Sequence, residues 1–206
     1  MILDVSKKAS SQLINSAQSS RGKVLAQVGV ALVLVLLIGA IGVSIAIKKE
    51  DKDKKEAARV ASAQGPTAIS QNGLRFGKAD SKVVVTLVED LQCPSCKLFE
   101  SQAAETIDGL IKSGKVAVEY RTISFLDQMS TTNYSSRAAN ASACVAESDK
   151  NKWFDWHEAM FRDQPAEQSA GLTDDRLVAI AREQGLTSQQ TADCINSQKY
   201  ADYVKK

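Results

Sequence analysis

At 206 residues the chain has room for one folded domain and one accessory segment. Lys+Arg number 26 and Asp+Glu 24, a net charge of +2, and nothing clusters the bases as a polyanion would require, so nucleic acid is not an expected partner. Hydrophobic residues at 44% and charged residues at 24% are globular values that exclude wholesale disorder, and the single histidine excludes a His-rich metal site.

From Val24 to Ile47 no residue carries a charge. As a helix this stretch is about 36 Å long, enough to cross a hydrocarbon core of about 30 Å. Buried core helices and the apolar regions of cleaved signal peptides are both shorter, although Ser44-Ile45-Ala46 offers a small-x-small pattern. The segment 24–47 is therefore read as one uncleaved transmembrane anchor, with 1–23 as a cytoplasmic tail. Lys7, Lys8, Arg21 and Lys23 precede it, and Lys48, Lys49, Lys52, Lys54, Lys55 and Arg59 follow it, so positive charge alone does not fix the orientation. Residues 48–73 read as a linker. It passes from a mixed-charge run into an Ala/Ser/Gln/Gly/Pro stretch around Gly65-Pro66, with at most a short exposed helix at Ala57–Ala63.

The folded part opens with Asp80-Ser81 as a turn and Val83–Val88 as a short β-branched run, the pattern of a strand covered on both faces. A helix follows, with Phe99, Ala103, Ile107 and Leu110 as its apolar face and Gly114 at its end. Val116, Val118 and Tyr120 alternate as a second strand, completing a βαβ unit over 82–124. Residues 130–206 are helical. Asn133–Glu147 is Ala-rich, Trp153–Phe161 is stopped by Pro165, Thr173 caps a helix closed by Gly185, and Thr187 caps one that runs to about Val204. Four consecutive helices do not continue a βαβ alternation and read as an insertion.

Chemistry concentrates at Cys93-Pro94-Ser95-Cys96, where a strand gives way to a helix. Cys93 sits at the helix N-terminal edge, where unpaired N–H groups and the helix dipole stabilise a thiolate. Pro94 suits the first helical position. Cys96 lies one turn on, placed to close a disulfide with Cys93, and Lys97 adds a positive charge beside them. The chemistry is thiol–disulfide exchange through a mixed disulfide. Half of a zinc site completed by Cys144 and Cys194 is the weaker reading, because zinc pairs seldom span such a gap. An inert structural disulfide is the other alternative.

Val83–Cys96, with Glu89-Asp90 just before Cys-Pro-x-Cys, resembles the DsbA-like thioredoxin-fold proteins. The anchor, the linker and Ala138–Cys144 resemble their membrane-anchored, extracytoplasmic members in Gram-positive actinobacteria. The resemblance covers about Leu74 to Lys206. It implies an α/β, thioredoxin-like fold with a helical insertion, and oxidation of cysteines in newly exported proteins. It makes Cys93 the exposed nucleophile and Cys96 its buried partner, calls for no cofactor or metal, and implies a membrane quinone-linked enzyme as reoxidant. Cys144 and Cys194 match the family's second, structural disulfide. Closing that loop is worth about 4 kcal/mol in the chain-entropy model, and two paired sets imply an oxidising compartment, which places the C-terminal part outside the membrane. Two buried free thiols remain the alternative.

The chain departs from this family in one respect. The family carries a cis-proline opposite the cysteine pair, followed by a hairpin and a final helix, and none of Pro66, Pro94 and Pro165 is placed for it. The sequence is thus read as lacking the second half of the fold, and function is read for the intact protein. Glu89 and Asp90 point to opposite faces of a strand end, so at most one is a proton acceptor beneath the disulfide, a solvated strand end being the alternative. His157 has no acid or cysteine at ligand spacing and reads as structural, and Trp153, Phe154, Trp156 and Phe161 read as core of the insertion. The leading function is an anchored oxidase of exported proteins. A reductase or isomerase with the same residues and a catalytically inactive anchored module are the alternatives.

Overall fold

The structure, a computed structural model, describes the backbone of residues 3–206; within the first helix the side chains of residues 3–27, 30, 31 and 33–35 lie outside the description. The chain divides into two units, 1–57 and 58–206. The tail 1–23 and part of the apolar segment 24–47 therefore fall outside the described side chains. Among the described residues no helix is long and apolar enough to cross a membrane. Helix α1 runs without a break over Leu3–Ser62. Residues 48–62, expected as linker, are helical throughout. They are rich in Ala, Lys, Glu and Arg, and Lys54 pairs with Glu50 one turn back at 2.6 Å.

The second unit holds a three-stranded sheet in the order β1-β3-β2, with β1 at Leu74–Phe76, β2 at Val83–Glu89 and β3 at Val116–Thr122. β2 and β3 are parallel from Val83 opposite Val116 to Glu89 opposite Thr122, and helix α2 (Pro94–Lys112) makes the crossover. Gly114, at φ +71°, ends that crossover helix in a left-handed conformation open to glycine, as the sequence predicts. The short β1, not foreseen, runs antiparallel to β3.

Two expectations about this unit are corrected. β2 is not covered on both faces: among the described residues it pairs with β3 alone, and Val83 and Val88 are each 53% exposed. A β-branched apolar run reports strand propensity, but it cannot report whether a neighbour is present to cover it. The inner face of α2 is also only partly as predicted: Ile107 packs on the core as expected, but Phe99 and Leu110 do not. Cys96, Glu100, Ile107 and Ile111 turn inward, while Phe99 and Leu110 are exposed.

Four of the expected helices form: α3 (Tyr134–Ser148), α4 (Trp153–Arg162), α5 (Asp174–Glu183) and α6 (Gln189–Asn196). Thr173 caps α5 by accepting from Arg176 N at 3.2 Å, and Gly185 at φ +86° follows its end. The last helix is not continuous. Ser188, rather than Thr187, caps α6 through Thr191 N, and the chain breaks at Gln198 (φ +51°) before a short α7 (Ala201–Val204).

The alanines of α3 are buried on nearly every side, and their small side chains let α5, α6 and α7 pack close around it. The aromatics of α4 do more than fill the insertion. Phe154 packs 4.1 Å from Phe76 of β1, and Trp153 4.9 Å from Tyr120 of β3, so they bind the helices to the sheet. The folded unit begins before Leu74: Glu147 of α3 accepts from Thr67 N at 2.7 Å and Thr67 Oγ1 at 2.9 Å, and Ile69 packs on the core.

Cys144 of α3 and Cys194 of α6 are joined, with Cα atoms 5.8 Å apart and 50 residues between them in sequence. Replacing both by serine is expected to lower stability by about 4 kcal/mol. Urea denaturation of the two proteins measures this, and an unchanged midpoint would contradict it.

Candidate functional site

Cys93 forms the N-cap of α2 with extended backbone angles, and Pro94 takes the first helical position, as the sequence predicts. Both Cys93 and Cys96 are half-buried, unbonded thiols. Two long-range contacts fix the turn before them. Gln164, just beyond α4, donates from Nε2 to the carbonyls of Leu91 (3.1 Å) and Cys93 (3.0 Å). Lys97, expected as a charge beside the thiols, reaches back to Arg162 O at 3.4 Å.

The two acids before the motif do diverge, and neither is solvated. Asp90 is fully buried and works as a clasp. Its Oδ1 accepts from Gln92 N (2.9 Å) and Ser135 Oγ (2.7 Å), and its Oδ2 accepts from Leu126 N (2.9 Å). Burial raises the Asp90 carboxyl, and these donors oppose that rise. Glu89 points to the other side, under the cysteine pair, with Oε2 3.0 Å from His157 Nε2. His157, read as structural and with no acid at ligand spacing, is buried and meets an acid from a distant element. Sequence spacing hid the pair, since 68 residues separate them.

A third group was missed altogether. Glu100, one helical turn beyond Cys96, is buried, and its carboxyl interacts with that of Glu89. Burial, the contact with Glu89 and the Glu89 charge push Glu100 up to about 8. Burial likewise raises Glu89, and it lowers His157 to about 4, so the imidazole is neutral at physiological pH. Cys96 is pushed up to about 12, chiefly by burial, with the Cys93 sulfur and the Glu89 charge acting in the same direction. The signal for Glu100 was its place in the stripe 96-100-107-111, where a carboxylate interrupts otherwise inward-facing residues.

Cys144 and Cys194 are bonded to each other and so cannot complete a zinc site with Cys93 and Cys96. Among the described residues no cluster of His, Cys, Asp and Glu has the geometry of a metal site. The arrangement at α2 is one thiol at a helix N-terminus, a second thiol one turn on, and a buried acid pair beside the second.

A family model described as Thioredoxin matches residues 70–206. The chain belongs to this thioredoxin family. Its likeness is to the DsbA-like branch. The reduced form of the disulfide bond oxidoreductase DsbG from Mycobacterium tuberculosis is 35% identical, with 63% of this chain and 68% of that one covered and a TM-score of 0.58. Disulfide bond formation protein D of Bacillus subtilis is 30% identical over 133 residues, covering 64% of this chain and 58% of that protein. The serine/threonine-protein kinase PknE of M. tuberculosis is 32% identical over 135 residues, 63% of this chain but only 24% of the kinase. The chain thus spans about a quarter to somewhat over half of these curated relatives. Relatives named as disulfide oxidoreductases are enzymes.

Glu100 and His157 set a pH signature of stability. Unfolding lets Glu100 ionise from about 4.5 rather than about 8, so its contribution is full below 4.5 and is lost as pH rises through 8. His157, lowered from 6.5 to about 4, contributes above 6.5 and loses that contribution as pH falls through 4. Between about 4.5 and 6.5 the two slopes oppose. Above 6.5 the His157 slope is spent and the raised carboxyls, Glu100 foremost, remain, so stability is expected to fall from pH 6.5 to 8. Urea midpoints across that range test this, and Glu100→Gln is expected to flatten the decline.

Proposed function

We propose that Cys93 and Cys96 form the redox pair of a thiol–disulfide oxidoreductase that introduces disulfides into exported proteins. The observation carrying this is a pair of unbonded thiols at the N-terminus of α2, in a chain of the DsbA-like kind. In the oxidised form a substrate thiolate attacks Cys93 Sγ and Cys96 leaves. A second substrate thiol then attacks the mixed disulfide, releasing Cys93 with the substrate oxidised. Pro94 sets the helix start that places Cys93. The direction is supported by the relatives named for disulfide bond formation and oxidoreduction. A membrane quinone-linked reoxidant would take the two electrons.

Replacing Cys96 by serine is expected to trap exported proteins on Cys93 as mixed disulfides, seen as thiol-sensitive adducts on non-reducing gels. Replacing Cys93 as well abolishes them. No adducts with the single variant would favour an inactive anchored module. Equilibration with glutathione decides direction: a pair held oxidised only under strongly oxidising buffer is an oxidase, and one held oxidised under mild conditions is a reductase.

The compartment and the anchor belong to the same reading. The bonded Cys144–Cys194 pair supports an oxidising environment, and the uncharged run 24–47 supports a single span with the folded part outside. Extraction of membranes with alkaline carbonate is expected to leave the full chain in the pellet, and release into the supernatant would contradict an anchor.

A further inference from the structure

Gln164 lies two residues beyond the end of α4 and is half-buried. Its side-chain nitrogen donates to Leu91 O at 3.1 Å and to Cys93 O at 3.0 Å. A carbonyl oxygen only accepts, so these two partners fix which end of the amide faces the turn and use both of its protons. Cys93 O also accepts from Lys97 N at 3.1 Å, the first main-chain bond of α2, so both of its lone pairs are filled. The N–H groups of the same turn are held by Asp90. Its side chain accepts from Gln92 N at 2.9 Å, and its carbonyl accepts from Cys93 N at 2.9 Å. Asp90 thus holds the donors of the turn from within, and Gln164 holds two of its carbonyls from the helical insertion.

The Cys93 sulfur is joined to its own carbonyl through Cβ and Cα alone, so the negative end of that carbonyl dipole stays near the sulfur in every rotamer. An amide donor on the oxygen offsets its negative potential, and the two N–H bonds of Gln164 turn their positive ends toward the turn. A thiolate on Cys93 exists only once the Cys93–Cys96 bond is open, so the amide favours the opened form over the disulfide. We propose that Gln164 is a positioning residue that fixes the Cys93 turn through these two carbonyls and biases the Cys93–Cys96 pair toward its reduced form, making the pair a stronger oxidant. The inference rests on the redox reading of that pair.

The equilibrium that Gln164 shifts is balanced with glutathione as the reductant. Two glutathione thiols each give up one electron and one proton and join as glutathione disulfide. The Cys93–Cys96 bond takes up those electrons and protons and becomes two thiols. Gln164 forms and breaks no covalent bond in this exchange. It acts through the charge that Cys93 carries on one side of the equilibrium and not on the other. Alanine at 164 removes the donor without adding a charge. Glutamate keeps the shape of glutamine but puts an anionic oxygen where the donor was, so it acts in the opposite sense to the amide.

The test equilibrates the full chain with mixtures of reduced and oxidised glutathione at pH 7, caps free thiols with a maleimide and reads the Cys93–Cys96 peptide by mass. The quantity compared is the ratio of glutathione squared to glutathione disulfide at which half of the pair is reduced. Gln164→Ala is expected to raise that ratio at least about threefold, and Gln164→Glu at least about tenfold. A role in packing alone would lower the urea midpoint and leave the ratio where it is. An unchanged ratio in Gln164→Ala, or a lower one in Gln164→Glu, overturns the proposal. If neither variant folds, the wild type decides. Its Gln164 side-chain amide protons, followed by nuclear magnetic resonance, must shift when the disulfide is reduced, and unmoved signals overturn the proposal. A wild-type chain in which no glutathione mixture yields a Cys93–Cys96 disulfide refutes the redox reading itself, whereas a wild type that titrates and is matched by both variants refutes the role of Gln164 alone.

Discussion

The fastening of the helices to the sheet depends on two consecutive acids at the end of β2. Asp90 is fully buried and takes three donors from the turn after β2, the loop at Leu126 and the first turn of α3. Glu89 faces the other way and meets His157 of α4. Successive strand residues point to opposite faces, so one dipeptide reaches both helical packing partners at once. The cysteine turn begins at the very next residues. Its geometry is therefore set by contacts to α3 and α4 and, through Gln164, by the segment just beyond α4.

The same arrangement separates structure from chemistry between neighbours. Asp90 has every oxygen occupied by a donor and serves as a clasp. Glu89 retains an oxygen without one, beside Glu100 and the half-buried Cys96. Burying carboxyls is costly unless donors or protons compensate them. Asp90 offsets much of that cost with three hydrogen bonds, whereas Glu100 offsets it by a large rise in its proton affinity.

Much of this was legible in the sequence because it is local. The strand–helix–strand order, the cap at Thr173, the glycines closing α2 and α5, and the thiol pair at a helix start all follow from short-range rules. What escaped was set by distant partners. Phe99 and Leu110 were wrongly expected on the inner face of α2 because its stripe contains Glu100, and a charge does not look like core. His157 looked isolated because its acid lies on another element. β2 was expected to be covered, since a valine run states a preference for strand and is silent about neighbours. The break at Gln198 has no local glycine or proline to announce it.

The exposed flank of β2 has a consequence for how the chain behaves in solution. Among the described residues, this seven-residue strand has one side unpaired and presents a row of main-chain donors and acceptors beside exposed valines. It carries no proline, and Lys82 is the one base at its start. Such a rim is a template for any extended backbone that reaches it. The same strand that delivers Glu89 to the cysteine pair therefore favours concentration-dependent cross-strand association of this polypeptide whenever that rim is left bare.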